Sequence, residues 1–185
     1  MACWPRNSRN WCENARGTNA RKSVRWRGSV WAWIWVGSLL VHGTNFMSDK
    51  FFVDTNILVY AHDFATGAKH ERARTLIEKL WSSGDGVLST QVLQELCVNL
   101  RRKAARPLSV EETRRLIEDY SSWDIVVNTA ESVLQALTIE SRYQISFWDA
   151  LILQAAGSSG ATVLYSEDLG EGQTYGSVRV VNPLH

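Results

Sequence analysis

The run Phe51-Phe52-Val53-Asp54-Thr55-Asn56 decides the fold, because it passes directly from a short apolar strand to the start of a helix. Three apolar residues in a row are typical of a strand that is buried on both faces, as in a parallel sheet. Asp54 follows at once, where its carboxylate can cap a helix over about 55–60. The run therefore predicts the first strand and the first crossover of an α/β domain.

The same alternation of strand and helix continues to the end of the chain. Further strands are predicted at about 87–88, 124–127, 162–165 and 178–181, and helices at about 69–82, 90–106, 109–121, 129–143 and 146–157. This order predicts a single α/β domain with a central parallel sheet of about five short strands, helices on both faces and right-handed crossovers. The last helix is apolar nearly all round, so we expect it to be buried.

Composition separates residues 1–46 from residues 47–185. The first part holds seven Lys or Arg, one acid and six of the nine Trp, whereas the second holds 13 basic and 18 acidic side chains. Met47 is the only Met besides Met1, and it stands just before the first strand signal. We expect the domain to occupy 47–185. Residues 1–46 are then a non-domain head, which is either disordered or not native coding sequence because the start codon was assigned too far upstream.

Cysteine and hydropathy patterns predict a cytoplasmic protein without a membrane anchor. Cys97 lies in a helical pattern with no Cys or His at metal-ligand spacing, so the three Cys are not a disulfide framework. The apolar run at 30–41 is too short to span a bilayer, which takes about 20 residues. It has the length of a signal-peptide core, but no small-x-small cleavage pattern follows it.

Four acids stand at or near the ends of predicted strands. Asp54 ends the first strand, Asp168 follows the fourth, Glu95 lies one turn into the helix after the second, and Asp149 lies in the first turn of the buried helix. Sites in α/β sheets form beyond the carboxyl ends of the strands, which meet at one edge. We therefore expect the four carboxylates to converge there.

Each acid also has a purely structural explanation. Asp54 could cap its helix, Asp149 could belong to a capping box begun by Ser146, Glu95 could be a solvated helix residue and Asp168 a turn residue. Asp149 is the hardest to explain in this way, because its neighbours in the sequence are large and apolar, and an unpaired carboxylate among them is costly. We expect it to be the most buried of the four.

A divalent cation would resolve the repulsion among four clustered carboxylates, which otherwise drives some of them to protonate. Hard oxygen ligands suit Mg²⁺, with Mn²⁺ as a substitute. One or two such ions, with a bound water as the nucleophile, imply hydrolysis of a phosphodiester. No His or Cys cluster indicates zinc, and we expect His62 and His70 to lie at the surface.

Four motifs in order resemble the PIN-domain family and, within it, VapC-like toxins of bacterial toxin–antitoxin pairs. They are Phe-Val-Asp-Thr-Asn-Ile-Leu at 52–58, Gln-Glu-Leu at 94–96, Phe-Trp-Asp-Ala-Leu-Ile at 147–152 and Ser-Glu-Asp-Leu at 166–169. The resemblance covers about 50–184. It implies a Mg²⁺-dependent endoribonuclease that a cognate antitoxin holds inactive.

The resemblance also assigns roles by matching position. The catalytic and metal-binding acids would be Asp54, Glu95, Asp149 and Asp168. Thr55 and Asn56 match the residues that support the first acid. Glu167, beside Asp168, is the alternative for the fourth acid. The first 46 residues have no counterpart in the family's pattern.

RNA binding would depend on local basic patches, because residues 47–185 carry a net negative charge. The densest cluster is Arg101, Arg102, Lys103 and Arg106. A solvated helix face explains any one of these residues equally well. No stacking platform for single-stranded RNA stands out after residue 46.

Two other functions remain open at this point. An Asp-nucleophile phosphatase also has an acid after its first strand, but it needs a second Asp two positions later, where this chain has Asn56. A non-catalytic PIN module that binds RNA or a protein partner is the other, although the presence of all four acids argues against it. We expect a homodimer, the commonest closed assembly. The RNA target is not readable from the sequence.

Overall fold

The computed structural model describes residues 49–185. The predictions for residues 1–46, and the boundary at Met47, lie outside this part of the chain. The helices are α1 (Thr55–His62), α2 (Ala68–Ser83), α3 (Thr90–Arg102), α4 (Val110–Tyr120), α5 (Ala130–Tyr143) and α6 (Phe147–Ser158), with a 3-10 helix at Phe64–Thr66. The strands are β1 (Phe51–Val53), β2 (Gly86–Ser89), β3 (Asp124–Val126), β4 (Val163–Tyr165), β5 (Thr174–Tyr175) and β6 (Val178–Val181).

The six described strands form one sheet in the order β3-β2-β1-β4-β6-β5. All neighbouring pairs are parallel except β5 and β6. The predicted α/β class and parallel sheet are confirmed, but the prediction of about five strands missed β5. Two residues are too few to show an apolar alternation, and only the turn Gly176-Ser177 signalled a hairpin here.

Helices cover both faces of the sheet, as predicted. The chain moves outward from β1 through β2 to β3 and then returns past them to β4, so right-handed crossovers place α5 and α6 on the face opposite α1 to α4. In agreement, α1 packs on α2 and α3, whereas α5 packs on α6. The strands between these layers supply the core, with Phe52, Val53, Leu88 and Leu164 fully buried.

Local capping sets several helix starts. Ser109 and Glu112 form a capping box at the start of α4, with both hydrogen bonds present. Thr129 begins α5 and accepts a hydrogen bond from the Ser132 N–H. The predicted burial of α6 holds for 150–156. Its first turn leaves the protein interior, and Trp148 there is 61% exposed.

The two histidines near α1 are not at the surface, so that prediction is wrong. His70 is 8% exposed and its Nδ1 lies 3.0 Å from the Tyr60 carbonyl oxygen. His62 is half-buried, with Nε2 2.9 Å from the Tyr120 hydroxyl. Burial lowers the pKa of His62 to about 4, and the charge of His70 adds to the effect. A neutral imidazole that finds a hydrogen-bond partner can be buried at little cost, which the sequence pattern does not reveal.

Within residues 49–185, no helix combines the length and the apolar character that crossing a lipid bilayer would demand.

Candidate active site

A single pocket at the carboxyl edge of the sheet brings the four predicted acids together. It has a volume of about 440 Å³. Its lining residues are Asp54, Thr55, Asn56, Val59, Tyr60, Gln91, Glu95, Asn99, Lys103, Trp148, Asp149, Ile152 and Asp168. The acids come from the ends of β1 and β4 and from α3 and α6, so crossovers on both faces of the sheet contribute to one cleft.

Asp54 is the buried acid of the pocket, 7% exposed. The register that pairs Val53 with Tyr165 brings Ser166 beside it, and the Ser166 hydroxyl donates to Asp54 Oδ2 at 2.7 Å. The Thr55 N–H donates to Oδ1 at 2.6 Å, so Asp54 also caps α1. Burial raises the pKa of Asp54 to about 7, and repulsion from Asp168 and Glu95 adds to it, against the lowering effect of the Ser166 and Thr55 hydrogen bonds.

Asn56 connects two of the acids. Its Nδ2 donates to Asp54 Oδ2 at 3.2 Å and to Asp168 Oδ2 at 3.0 Å. The Asp168 N–H in turn donates to Ser166 Oγ at 3.2 Å. Asn56 Oδ1 is buried and has no hydrogen-bond partner among the described residues. The Asn56 amide and the Ser166 hydroxyl thus connect the carboxylate of Asp54 to Asp168.

Glu95 is fixed from both sides. The Thr55 hydroxyl donates to its Oε2 at 2.8 Å, and the Gln91 amide donates to its Oε1 at 2.9 Å. Thr55 therefore supports Asp54 with its backbone N–H and Glu95 with its side chain. The resemblance implied only the support of the first acid.

Asp149 lines the pocket, but it is not the most buried acid, so that expectation is wrong. It is half-buried, because the first turn of α6 projects from the interior and its large apolar neighbours are partly exposed. Its Oδ2 accepts the Ser146 hydroxyl at 2.8 Å, and its N–H donates to Ser146 Oγ at 3.1 Å. The capping interpretation of Asp149 and its position in the pocket therefore hold together.

Asp168, and not Glu167, lines the pocket. Glu167 accepts a hydrogen bond from Lys69, whose ammonium also lies 4.8 Å from the centre of the Tyr60 ring. Hydrogen bonds from Lys69 and Tyr60 lower the pKa of Glu167. The negative charge of Glu167 is thus balanced by Lys69, outside the pocket.

The acids are close, but they are not gathered as ligands around one point. In the part of the chain that the structure describes, no three His, Cys, Asp or Glu side chains are grouped as the ligands of a metal ion would be. Their oxygens instead accept hydrogen bonds from the side chains of Asn56, Thr55, Gln91 and Ser146.

The PIN domain family model matches residues 51–170, from β1 to just beyond the last of the four acids. The chain belongs to the PIN-domain family. No curated protein matches the chain.

Solved structures share this PIN fold. A crystal structure of Mycobacterium tuberculosis VapC20, described as a sarcin-ricin loop cleaving toxin, is 24% identical, has a TM-score of 0.51 and aligns over 64% of this chain and 90% of its own. A toxin–antitoxin complex from Klebsiella pneumoniae is 19% identical, with a TM-score of 0.54 over 73% and 98%. DNA-bound VapBC from Salmonella typhimurium is 21% identical, with a TM-score of 0.51 over 71% and 96%. At these identities the likeness is one of fold.

A polar stripe of α3 forms one wall of the PIN-domain pocket. Gln91, Glu95, Asn99 and Lys103 follow each other at four-residue spacing, which places them on one helix face. Of the four basic residues predicted to bind RNA, Lys103 lines the pocket. Arg101 and Arg102 are exposed elsewhere on the end of α3, and Arg106 pairs with Glu112 at 3.0 Å.

Several pocket residues were missed by sequence reasoning. The position of Ser166 directly after β4 was a usable signal, since β4 neighbours β1 in the sheet. The four-residue spacing along α3 could have pointed to Gln91 and Asn99. Trp148 is an exposed aromatic residue in the pocket, although no stacking platform was expected. Its exposure depends on where the first turn of α6 leaves the core, which no local pattern shows.

Proposed function

We propose that this PIN domain is a metal-dependent endoribonuclease and the toxin of a toxin–antitoxin pair. The observation that carries the proposal is the arrangement of Asp54, Asn56 and Asp168. A carboxylate that is 7% exposed, with its pKa raised to about 7 beside two further acids, favours a neutralising partner. In an open pocket at a sheet edge, that partner can be a cation.

The donor set fits a hydrated Mg²⁺ or Mn²⁺ ion. Mg²⁺ keeps several waters and is usually held by one or two carboxylates, so it does not need three converging side chains. Asp54 and Asp168, which share the Asn56 amide, would hold it directly. Glu95 and Asp149 would reach it through water. Such an ion, when bound, supplies a more acidic water and stabilises charge on a phosphate.

The side chains of the pocket divide the remaining work. Ser166 and the Thr55 N–H fix the orientation of Asp54, and Asn56 sets its spacing from Asp168. Glu95 and Asp149, which line the same pocket, would accept a proton from an attacking water. Lys103, at the outer end of the α3 stripe, would neutralise a phosphate of the bound RNA.

Two structures with the same fold are described as complexes of a toxin with its antitoxin or of VapBC with DNA. This supports an antitoxin as the protein partner here. We also propose that the protein forms a homodimer. Sedimentation of the full-length chain tests it, and a monomer at micromolar concentration would remove it.

The decisive experiment is cleavage of single-stranded RNA of randomised sequence by the full chain. Cleavage should require Mg²⁺ or Mn²⁺, stop in EDTA and fall by orders of magnitude in Asp54→Asn and Asp168→Asn. Glu118→Gln is the matched control, because this acid is exposed on α4 outside the pocket. Binding of RNA without cleavage under any of these conditions would favour a non-catalytic PIN module.

A further inference from the structure

Trp148 is the largest exposed apolar side chain of the described residues that lines the pocket. It is 61% exposed, and it stands next to Asp149 in the first turn of α6. An exposed apolar side chain is common on protein surfaces and needs no explanation by itself. An indole beside four carboxylates in a concave site is a different case, because it offers the pocket a large uncharged contact surface.

The indole is held in place and does not hang freely. Its ring packs against Phe147 in a T-shaped arrangement, with centroids 5.4 Å apart and an interplanar angle of 70°. The backbone carbonyl oxygen of Trp148 accepts a hydrogen bond from Gln91 Nε2 at 3.4 Å, and the same amide donates to Glu95 at 2.9 Å. Gln91 therefore ties the start of α6 to the α3 wall of the pocket.

The charge of the pocket explains why such a surface is useful. Four acids and one Lys line it, so a polyanion entering it meets net repulsion. Stacking of a base on an aromatic ring is nearly independent of charge and tolerates any base. It adds binding free energy to the single electrostatic contact that Lys103 offers in this pocket.

We propose that Trp148 binds RNA by stacking on an unpaired nucleobase next to the phosphate that lies over the acids. This inference rests on the proposed nuclease function and names a substrate-binding residue for it. A base inside a duplex presents no free face to a ring, so the strand has to be unpaired at this nucleotide. Lys103, on the α3 wall, supplies the electrostatic contact of the same strand.

The test compares variants of the full chain in binding a fluorescent single-stranded RNA of fixed sequence with phosphorothioate linkages. Binding is read by anisotropy with Ca²⁺ in place of Mg²⁺. Trp148→Ala should weaken it by about 5- to 150-fold, and Trp148→Phe should restore most of it. Phe64→Ala, which removes an aromatic side chain that is 62% exposed outside the pocket, is the control and should bind like the wild type.

Two further readouts separate stacking from a general structural effect. Trp148→Ala should leave the dependence of log Kd on log salt concentration unchanged, because no phosphate contact is lost. In a series of RNAs that each carry one abasic nucleotide at a different position, wild-type binding should weaken at one position only. That loss of affinity should disappear in Trp148→Ala.

The outcomes are distinct. Equal binding by the wild type and Trp148→Ala, or an abasic penalty that persists in the variant, overturns the stacking role while leaving the nuclease proposal intact. Absence of both binding and cleavage by the wild type overturns the two together. Sedimentation shows whether Trp148→Ala dissociates a dimer. If RNA binding is lost only because the dimer dissociates, the indole contacts a protein partner and the inference is wrong.

Discussion

At the scale of single residues, Asp54 is the acid proposed to hold the metal, and its burial carries an energetic cost. Its carboxylate is buried by the sheet and by α1, and hydrogen bonds from Ser166 and Thr55 only partly offset the loss of water. Between pH 3.8 and about 7, the metal-free folded protein therefore keeps a proton on Asp54 that the unfolded chain has lost. Binding of a cation should displace this proton, so affinity for Mg²⁺ should rise with pH up to about 7.

The same shift predicts a stability change with pH. The pKa of Asp54 is raised from 3.8 to about 7, so between these pH values the folded state binds more protons than the unfolded state. Its contribution to the free energy of unfolding without metal should fall as pH rises through this window. Asp54→Asn should melt higher than the wild type above pH 7 in EDTA, with a difference that shrinks towards pH 4. A difference independent of pH would contradict the raised pKa.

Asp149 has both a capping role and a proposed catalytic role, and two variants separate them. Asp149→Asn keeps an oxygen for the Ser146 hydroxyl, so it should cost about 1 kcal/mol or less in stability, while cleavage falls by orders of magnitude. Ser146→Ala removes the cap of α6 and should cost about 1 kcal/mol, with much of the cleavage retained. Melting in EDTA and Mg²⁺-dependent cleavage are measured on the same preparations. Full cleavage by Asp149→Asn would leave this residue only its capping role.

At the scale of elements, α3 connects the acids of the pocket to Lys103, the proposed contact to RNA. Ser89, the last residue of β2, caps the start of α3, and the polar stripe runs from Gln91 near the sheet edge to Lys103, which directly follows the helix. A rise of about 1.5 Å per residue separates Glu95 from Lys103 by about 12 Å along the axis. The stripe therefore holds both an acid with a proposed role in the reaction and a cation with a proposed contact to a more distant phosphate.

The position of Lys103 predicts a change in salt dependence. Lys103→Ala should weaken RNA binding and reduce the slope of log K against log salt concentration by about 0.7, the value for one contact to a single strand. Arg102→Ala is the matched control, since this residue ends the same helix but does not line the pocket. Anisotropy titrations over a series of salt concentrations measure both. Equal slopes for Lys103→Ala and the wild type would exclude a phosphate contact by Lys103.

At the scale of the whole molecule, the described residues contain both the core and the candidate site. The buried cluster of apolar side chains extends from Phe52 to Leu184, and all four acids lie within it along the chain. A chain that begins at Met47 should therefore fold, with a melting temperature within a few degrees of that of the 185-residue chain, and should keep the proposed RNA cleavage. Calorimetry and the cleavage assay on both chains check this. Aggregation or loss of cooperative melting of the shorter chain would show that residues 1–46 contribute to the domain.

The sequence by itself determined the local features of this protein. The apolar run before Asp54, the Ser or Thr at the start of α4, α5 and α6, and the alternation of strands with helices were readable because they depend on neighbours in the sequence. The order of four acids after strands or in the first turns of helices followed from the same patterns and from the geometry of parallel sheets.

Only the tertiary structure decided which groups meet and which are buried. Ser166 reaches Asp54 across 112 positions of sequence because β1 and β4 are neighbours in the sheet, and Asn56 reaches Asp168 across the same separation. The depth of a side chain depends on what packs over it from distant segments. For that reason Asp54 is the buried acid, Asp149 is half-buried and Trp148 stands exposed in the pocket, where the sequence indicated otherwise.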